Sequence, residues 1–487
     1  MSNQPEHVVV LGGGPGGLAC AHKLVELGFS VTVIERKGHV GGLCVTTVRD
    51  GFRFDLGGHR WFTKNRDLNK WFLKLMEGRL VDVQRTSRIL FNGKYFDYPI
   101  SLKNVISTAG LWTCAMCFAD YARNLVSNLL RPKPVRTMED AFIGQFGRRL
   151  YEMFFRRYSE KVWGRPCSQL SADWVSQRSK GLSIWTTLTN ALLKPKQKAQ
   201  SLIETFVYPR YGYQEICKKM AEDVESSGNT VILNAMVKRV DVSNADRVVV
   251  TYEHDGQEKQ ITGSYCVSTV PLTSLISYGL HPTPPPDVVA AAQGLVFRCV
   301  ICVDLMLDME QVTTDTWLYC HDEGIGFARF HEPRNWSPAM APEGKTSLSL
   351  ELFCSYDDET WRTDDDELVN RAVEDLIGLG LVRRDQVIDG FCVRARDAYP
   401  VYSMDYLSRI KKMHAHIEAL ERLAIVGRGG TFRYNNADHS IEMGLLTAQV
   451  INREIEKGAV MNVNTSLQYC ESNLAQQEVD RTKATES

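Results

Sequence analysis

The stretch His7-Val-Val-Val-Leu-Gly-Gly-Gly-Pro-Gly-Gly-Leu18 decides the fold. An apolar strand runs from His7 to Leu11 into Gly12, Gly14 and Gly17, spaced G-x-G-x-x-G, and a helix from Leu18 to Leu27 opens at that turn. A second strand, Ser30 to Ile34, ends at Glu35. This lies close to the offset of roughly twenty residues at which dinucleotide-binding units place an acid to accept hydrogen bonds from a ribose. The glycines let the backbone approach a pyrophosphate, which rests on the helix N-terminus where peptide N–H groups and the macrodipole favour an anion. Gly12, Gly14, Pro15, Gly16, Gly17, Glu35 and Arg36 are therefore the first cofactor-contact candidates.

Outward from this unit the chain predicts an α/β protein: a Rossmann-like domain with an inserted helical domain and a β-sheet substrate domain. The expected division is a first Rossmann part at 1–100, a helical insertion at 101–205 and return strands at 206–290. A β-sheet substrate domain follows at 291–400, then a C-terminal Rossmann part at 401–462 and a mobile polar tail at 463–487. Val231 to Leu233, Val248 to Tyr252 and Tyr265 to Val270 read as strands, and Gly147 to Arg157 and Leu170 to Leu182 as helices. Leu193 to Gln200 is a Lys-rich connector, and an Asp- and Glu-rich helix is expected around Asp364 to Leu376. Near the C-terminus a short buried strand from Leu423 leads through Gly427-Arg428-Gly429-Gly430-Thr431 into a long helix.

The 487 residues exceed one ordinary core, so two or three domains are expected. With 44% apolar and 24% charged residues the chain is globular. Its 57 Lys plus Arg balance 58 Asp plus Glu, so no global field exists to hold nucleic acid, and none is expected as a partner. No signal segment precedes the first strand, which predicts a cytoplasmic protein. Thirteen irregularly spaced cysteines read as reduced thiols, and the pairs Cys114/Cys117 and Cys299/Cys302 sit in apolar runs, so no metal is assigned. The charge-free run Asn104 to Ala119 is shorter than the roughly 20 residues of a spanning helix. A buried or surface-docked helix is expected there, with membrane contact through residues 104–126 as the lesser alternative. A homo-oligomer is compatible with the sequence.

Gly38-His-Val-Gly41-Gly42 places a second glycine pair shortly after the ribose acid. This resembles flavoproteins of the amine oxidase and desaturase type, in which such a pair packs under the diphosphate of FAD. The resemblance adds Gly41, Gly42 and Leu43 as cofactor contacts. Between the glycine segments stand arginines and tyrosines in aromatic surroundings: Arg85, Tyr98, Arg178, Tyr319, Arg329, Tyr399, Arg428 and Tyr434. Arginine offers a planar fork for phosphate, and tyrosine a hydroxyl on a rigid arm.

Together with Asp55-Leu-Gly-Gly-His59, Gln84-Arg85-Thr-Ser87, Tyr98-Pro99, Tyr158-Ser-Glu-Lys-Val-Trp163, Trp174-Val-Ser-Gln-Arg178, Trp317-Leu-Tyr319, Phe327-Ala-Arg329, Tyr399-Pro400 and the run from Gly427 through Asp438-His-Ser440, the chain resembles the UDP-galactopyranose mutases, more the longer eukaryotic type. The resemblance implies interconversion of pyranose and furanose forms of a nucleotide-linked sugar, with N5 of reduced FAD attacking the anomeric carbon. It implies Arg178 and Arg329 as the cations for the diphosphate. Tyr98, Trp163, Trp317, Tyr319, Tyr399, Tyr434 and Asn436 would meet the substrate. His59, with Gly57 and Gly58, would lie at the flavin. Val237, Gly427, Arg428, Asn436 and Ser440 would complete the cofactor site, and Arg85 and Ser87 would receive the NADPH or NADH used for reduction. The chain departs from that pattern at Ile100 and Ser101, where the family places an aromatic and an amide for the uracil ring, and at Glu204, where an asparagine is expected. The apolar residues 101–135 could suit a lipid-like carrier, although core packing is their expected use. The alternative activity is a redox enzyme of the protoporphyrinogen oxidase or phytoene desaturase type, and a non-catalytic flavin scaffold is a third reading.

Overall fold

The strand His7–Leu11 is central in a five-stranded parallel sheet of order Leu423–Ile425, Tyr265–Ser268, His7–Leu11, Ser30–Ile34, Thr230–Ile232, in a computed structural model describing residues 6–98, 102–178 and 205–464. Val8 pairs with Val31 on one side and Tyr265 on the other. A parallel sheet is covered on both faces, which is why its strands read as continuous apolar runs. Val8 and Val10 pack on Leu18, Ala21 and Leu24 of the helix Pro15–Glu26, while Val9 and Leu11 point into a second core with Leu272, Tyr406 and Phe432. That helix lies tightly against Ala437–Ile451: a Cβ added at Gly444 would sit 2.2 Å from the Gly16 carbonyl oxygen, so only glycine permits this approach. A smaller sheet, ordered Gln257–Gly263, Val248–His254, Ala235–Asp241, Leu280–His281, stands beside it.

The second large layer is a seven-stranded sheet of order Val387–Pro400, Phe297–Leu307, Thr346–Cys354, Arg329–His331, Trp317–Cys320, Ser87–Phe91, Lys94–Asp97. Side chains alternate between its faces. Leu348, Leu350 and Leu352 join Ile301, Val303 and Leu305 against Leu368, Ala372 and Leu376 of the acidic helix Asp365–Gly378. The opposite phase carries Asp304, Ser349 and Glu351, all buried.

Two expectations are corrected. Residues 87–97, expected with the Rossmann segment 1–100, belong to this second sheet, because Ser87–Phe91 pairs in parallel with Trp317–Cys320. The helix expected over Gly147 to Arg157 is present from Arg148 and runs through Trp163 with a π-helical turn at Tyr151–Arg156, while Gly147, at φ +79°, closes the preceding helix Met138–Phe146. The helix expected from Leu170 begins only at Asp173, since Leu170 bridges to Ser403.

The insertion also differs in packing. Leu102–Ala109 and Leu111–Leu130 are helices, but the apolar face of the longer one is exposed rather than built into a core. No described helix is long and apolar enough to cross a membrane. Ile100, Ser101, Leu193 to Gln200, Glu204 and the tail beyond residue 464 lie outside the described residues, as does the side chain of Arg178.

Candidate active site

The cofactor candidates at the N-terminal end converge, although they are far apart in sequence. Gly14 is the N-cap of the helix Pro15–Glu26, and a Cβ on Gly42 would lie 3.2 Å from the Gly14 Cα. Gly16 faces Gly427 and the Ser440 carbonyl within 3.0–3.5 Å of an added Cβ. Glu35 is buried and accepts from Gly13 N–H at 2.7 Å and Lys37 N–H at 2.8 Å, while Arg36 beside it is exposed. Gly41 N–H donates to the Gly13 carbonyl at 2.8 Å. Val237 lies on the strand Ala235–Asp241, whose first N–H donates to the Glu35 carbonyl at 2.9 Å. Ser440 Oγ donates to the Asn436 carbonyl at 3.1 Å within the helix Ala437–Ile451. A helix N-terminus walled by bare glycine backbone is suited to a dinucleotide diphosphate.

A cleft of about 300 Å³ is lined by strands of the seven-stranded sheet together with the segments 56–60, 158–163 and 434–437. Leu43, Gly57, Gly58, His59, Arg85, Ser87, Tyr98, Trp163, Trp317, Tyr319, Arg329, Tyr399, Arg428, Tyr434 and Asn436, all named from sequence, line it. Arg178 ends the helix Asp173–Arg178, whose Trp174 lines the same cleft. Sequence reasoning did not select Trp174, Tyr158, Phe353, Trp336 or Arg60, which also line it, or Glu351 behind Arg329. Glu351 carried a signal: a lone carboxylate on the polar phase of an alternating strand, Ser347-Leu-Ser-Leu-Glu351-Leu-Phe353.

Register explains how the sheet presents its cation. Tyr319, Arg329, Glu351 and Cys302 are successive cross-strand partners, so they share one row on one face. Arg329 donates from Nη2 to Glu351 Oε2 at 2.6 Å and Tyr399 OH at 3.1 Å, and from Nη1 to Tyr158 OH at 3.4 Å. Its guanidinium lies 4.9 Å from the Trp317 ring and 5.3 Å from Phe353. Burial disfavours the charge, but Glu351 together with Tyr158 and Tyr399 outweighs it and holds Arg329 protonated. Burial likewise raises the Tyr158 and Tyr399 hydroxyls, against the pull of Arg329.

The other walls are similarly braced. Arg428 donates from Nε to the Asn435 carbonyl at 2.7 Å and from Nη1 to Ala398 at 3.1 Å, over the rings of Tyr399 and Tyr434. Arg85 reaches Ser87 Oγ at 3.4 Å and lies over Tyr98. Trp163, Trp174 and Tyr434 meet edge to face. His59 stacks on Tyr213, and Nδ1 is 3.0 Å from the Gly57 carbonyl. A carbonyl only accepts, so Nδ1 carries the proton and Nε2 is left as an acceptor. Burial, with Arg428 and Arg329 nearby, lowers the His59 pKa to about 4, so the ring is neutral at ordinary pH.

Among the described residues the cleft lining contains Arg60, Arg85, Arg329 and Arg428 and no carboxylate. Trp174 Nε1, Trp317 Nε1 and Arg329 Nε are buried donors with no hydrogen-bond partner among the described residues. The surfaces suit an anionic, planar-ringed ligand and a dinucleotide threaded from the glycine cradle.

Comparison with known proteins agrees with this architecture. The family described as "Flavin containing amine oxidoreductase" matches residues 15–389. A Klebsiella pneumoniae protein described as "Probable UDP-galactopyranose mutase" is 28% identical over 176 residues, 34% of this chain and 44% of that protein, so the match spans less than half of the relative. Among solved structures, a reduced UDP-galactopyranose mutase superposes with TM-score 0.81 at 23% identity, covering 95% of this chain and 100% of that one. A protein from Exiguobacterium sp. 255-15 carrying a protoporphyrinogen oxidase assignment superposes with TM-score 0.69 at 16% identity, covering 93% and 100%. At these identities the structures establish the shared fold.

Proposed function

The chain belongs to the flavin containing amine oxidoreductase family, and from that premise we propose that this FAD-dependent enzyme is a mutase interconverting the pyranose and furanose forms of a nucleotide-linked sugar. The observation that carries the proposal is a cleft that the described residues line with four arginines and no carboxylate. A diphosphate leaving group needs such cations, whereas an apolar redox substrate gains nothing from buried, already desolvated guanidinium groups.

When bound reduced, FAD supplies a nucleophilic nitrogen for the anomeric carbon. The protein's part is to hold the charge and the geometry. Arg329, locked by Glu351, and Arg428, locked by two carbonyls, cannot swing away and so act as fixed cations. Arg178, four residues beyond Trp174 on the same helix, is the further phosphate cation. Tyr319, Tyr399 and Tyr434 supply hydroxyl donors, and Tyr98, Trp163, Trp317 and Asn436 wall the sugar and nucleotide. Neutral His59 offers Nε2 as an acceptor at the flavin. Arg85 and Ser87 receive the nicotinamide dinucleotide that reduces the cofactor.

The test is to incubate the dithionite-reduced and the oxidised FAD-loaded protein with UDP-galactopyranose or UDP-galactofuranose and follow the ring form. Interconversion only by the reduced protein, with no net electron consumption, is the expected result. Stoichiometric peroxide or another reduced acceptor, without ring exchange, overturns it in favour of an oxidoreductase.

A further inference from the structure

The helix Leu111–Leu130 presents the wrong face to water. On a helical projection of about 100° per residue, Leu111, Trp112, Phe118, Leu125, Val126 and Leu129 fall within an arc of roughly 140°, with alanines filling the rest. Leu111 is 73% exposed, Trp112 78% and Leu129 83%. The opposite arc is the one that packs: Cys117 and Tyr121 are buried, and Asn124 donates to the Ile143 carbonyl at 2.9 Å. So the apolar arc is the outer face of a well-seated helix about 30 Å long. Contiguous exposed apolar surface of that size marks a docking site.

Charge selects the occupant. From residue 98 to residue 138 the chain holds five cations, Lys103, Arg123, Arg131, Lys133 and Arg136, against one carboxylate, Asp120, in a protein whose net charge is −1. Asp120 is turned inward, accepting from Arg149 N–H at 3.0 Å. Residues 131–136, at the helix C-terminal end, are all exposed. A second copy of this chain fits poorly: antiparallel pairing sets that cationic end against Leu111 and Trp112, where no carboxylate stands, and parallel pairing sets cations against cations. An apolar stripe with a cationic margin and an outer tryptophan fits an anionic lipid surface. Because the helix cannot cross a bilayer, it would lie in its plane.

We propose that this face docks the protein on anionic membranes. The neighbouring helix Leu102–Ala109 packs through Val105 and Ala109 with Phe96, Tyr98 and Tyr319, so the membrane-facing insertion is one layer of side chains from the cleft wall.

Vesicle co-sedimentation of the full FAD-loaded protein tests this. It should pellet with phosphatidylcholine vesicles carrying phosphatidylglycerol and bind at least about tenfold more weakly to pure phosphatidylcholine or at high salt. The triple variant Leu111→Gln/Phe118→Gln/Leu129→Gln changes only solvent-facing positions; it should keep its melting temperature and flavin absorbance and stay in the supernatant. Arg131→Glu/Arg136→Glu should lose the preference for anionic lipid. Failure of the wild type to pellet, or unchanged pelleting of the triple variant, overturns the proposal. So does light scattering that shows a dimer which the triple variant splits, in the absence of vesicle binding.

Discussion

Arg329 and Glu351 sit directly opposite each other on adjacent strands and meet at 2.6 Å, with the Glu351 side chain fully buried. Breaking a buried pair leaves the surviving charge uncompensated. Arg329→Ala is therefore expected to cost about 3–5 kcal/mol, read as a lower urea midpoint. Arg329→Lys, which lacks the planar fork, should not restore the contacts to both Glu351 and Tyr399. If Arg329 holds the diphosphate, ring exchange in the folded Arg329→Lys variant should fall by about 10²–10³; turnover within a few fold of wild type would remove it from that role.

Acid should destabilise the protein through its histidines. Burial is the leading cause that lowers His59 and His414 to about 4 and His321 and His331 to about 3. Above the unfolded value near 6.5 neither state is protonated at these groups. As pH falls below it the unfolded chain takes up protons first, so stability drops by up to roughly 1.4 kcal/mol per pH unit per histidine until the folded values are reached. Thermal unfolding between pH 7 and pH 4 checks this, and His331→Asn should flatten the slope.

Asp304 acts in the opposite sense. Burial, with Asp55 and Glu351 nearby, raises it to about 8 against the Ser349 hydrogen bond. Between about pH 4 and 8 the unfolded chain has lost this proton and the folded one keeps it, so its contribution weakens as pH rises. Asp304→Asn should leave stability near pH 4 unchanged and raise it at pH 8. Equal effects at both pH values would show that Asp304 is not protonated in the native protein.

Gly444→Ala should reduce flavin occupancy without touching the cleft. The added methyl meets the Gly16 carbonyl at 2.2 Å and the Cys20 nitrogen at 2.9 Å, which forces the helix Pro15–Glu26 away from its partner and opens the cradle. Flavin per protein after gel filtration measures it.

What was legible in the sequence follows from distance along the chain. The strand at residues 7–11 and its glycine turn are local and appear as read, while the helix read from Leu18 opens three residues earlier at Pro15. The tyrosines and arginines named through family resemblance, Arg178 apart, line one cleft. Residues 87–97 were placed in the wrong layer because their partner, Trp317–Cys320, is more than two hundred residues away and no local pattern encodes that pairing. Asp304 escaped notice because its strand hides a single buried charge among apolar neighbours, whereas Glu351 stood on a legible polar phase, Ser347 and Ser349, whose partner Arg329 lies on another strand. The helix Leu111–Leu130 misled in the other direction: hydrophobicity alone cannot say whether an apolar face meets protein or something else.

The edge of the parallel sheet carries a consequence for the order of synthesis. The outer edge of Tyr265–Ser268 is closed by Leu423–Ile425, and Gly16 of the cradle is met by Gly427 and Ser440. A nascent chain thus exposes an unpaired strand for more than 150 residues of translation and has no complete diphosphate seat until its last tenth has emerged. Flavin capture consequently waits for residues 427–440. Chains cut short before residue 423 should be colourless and prone to pair through that open edge, so the yellow of the bound cofactor reports synthesis through residue 440.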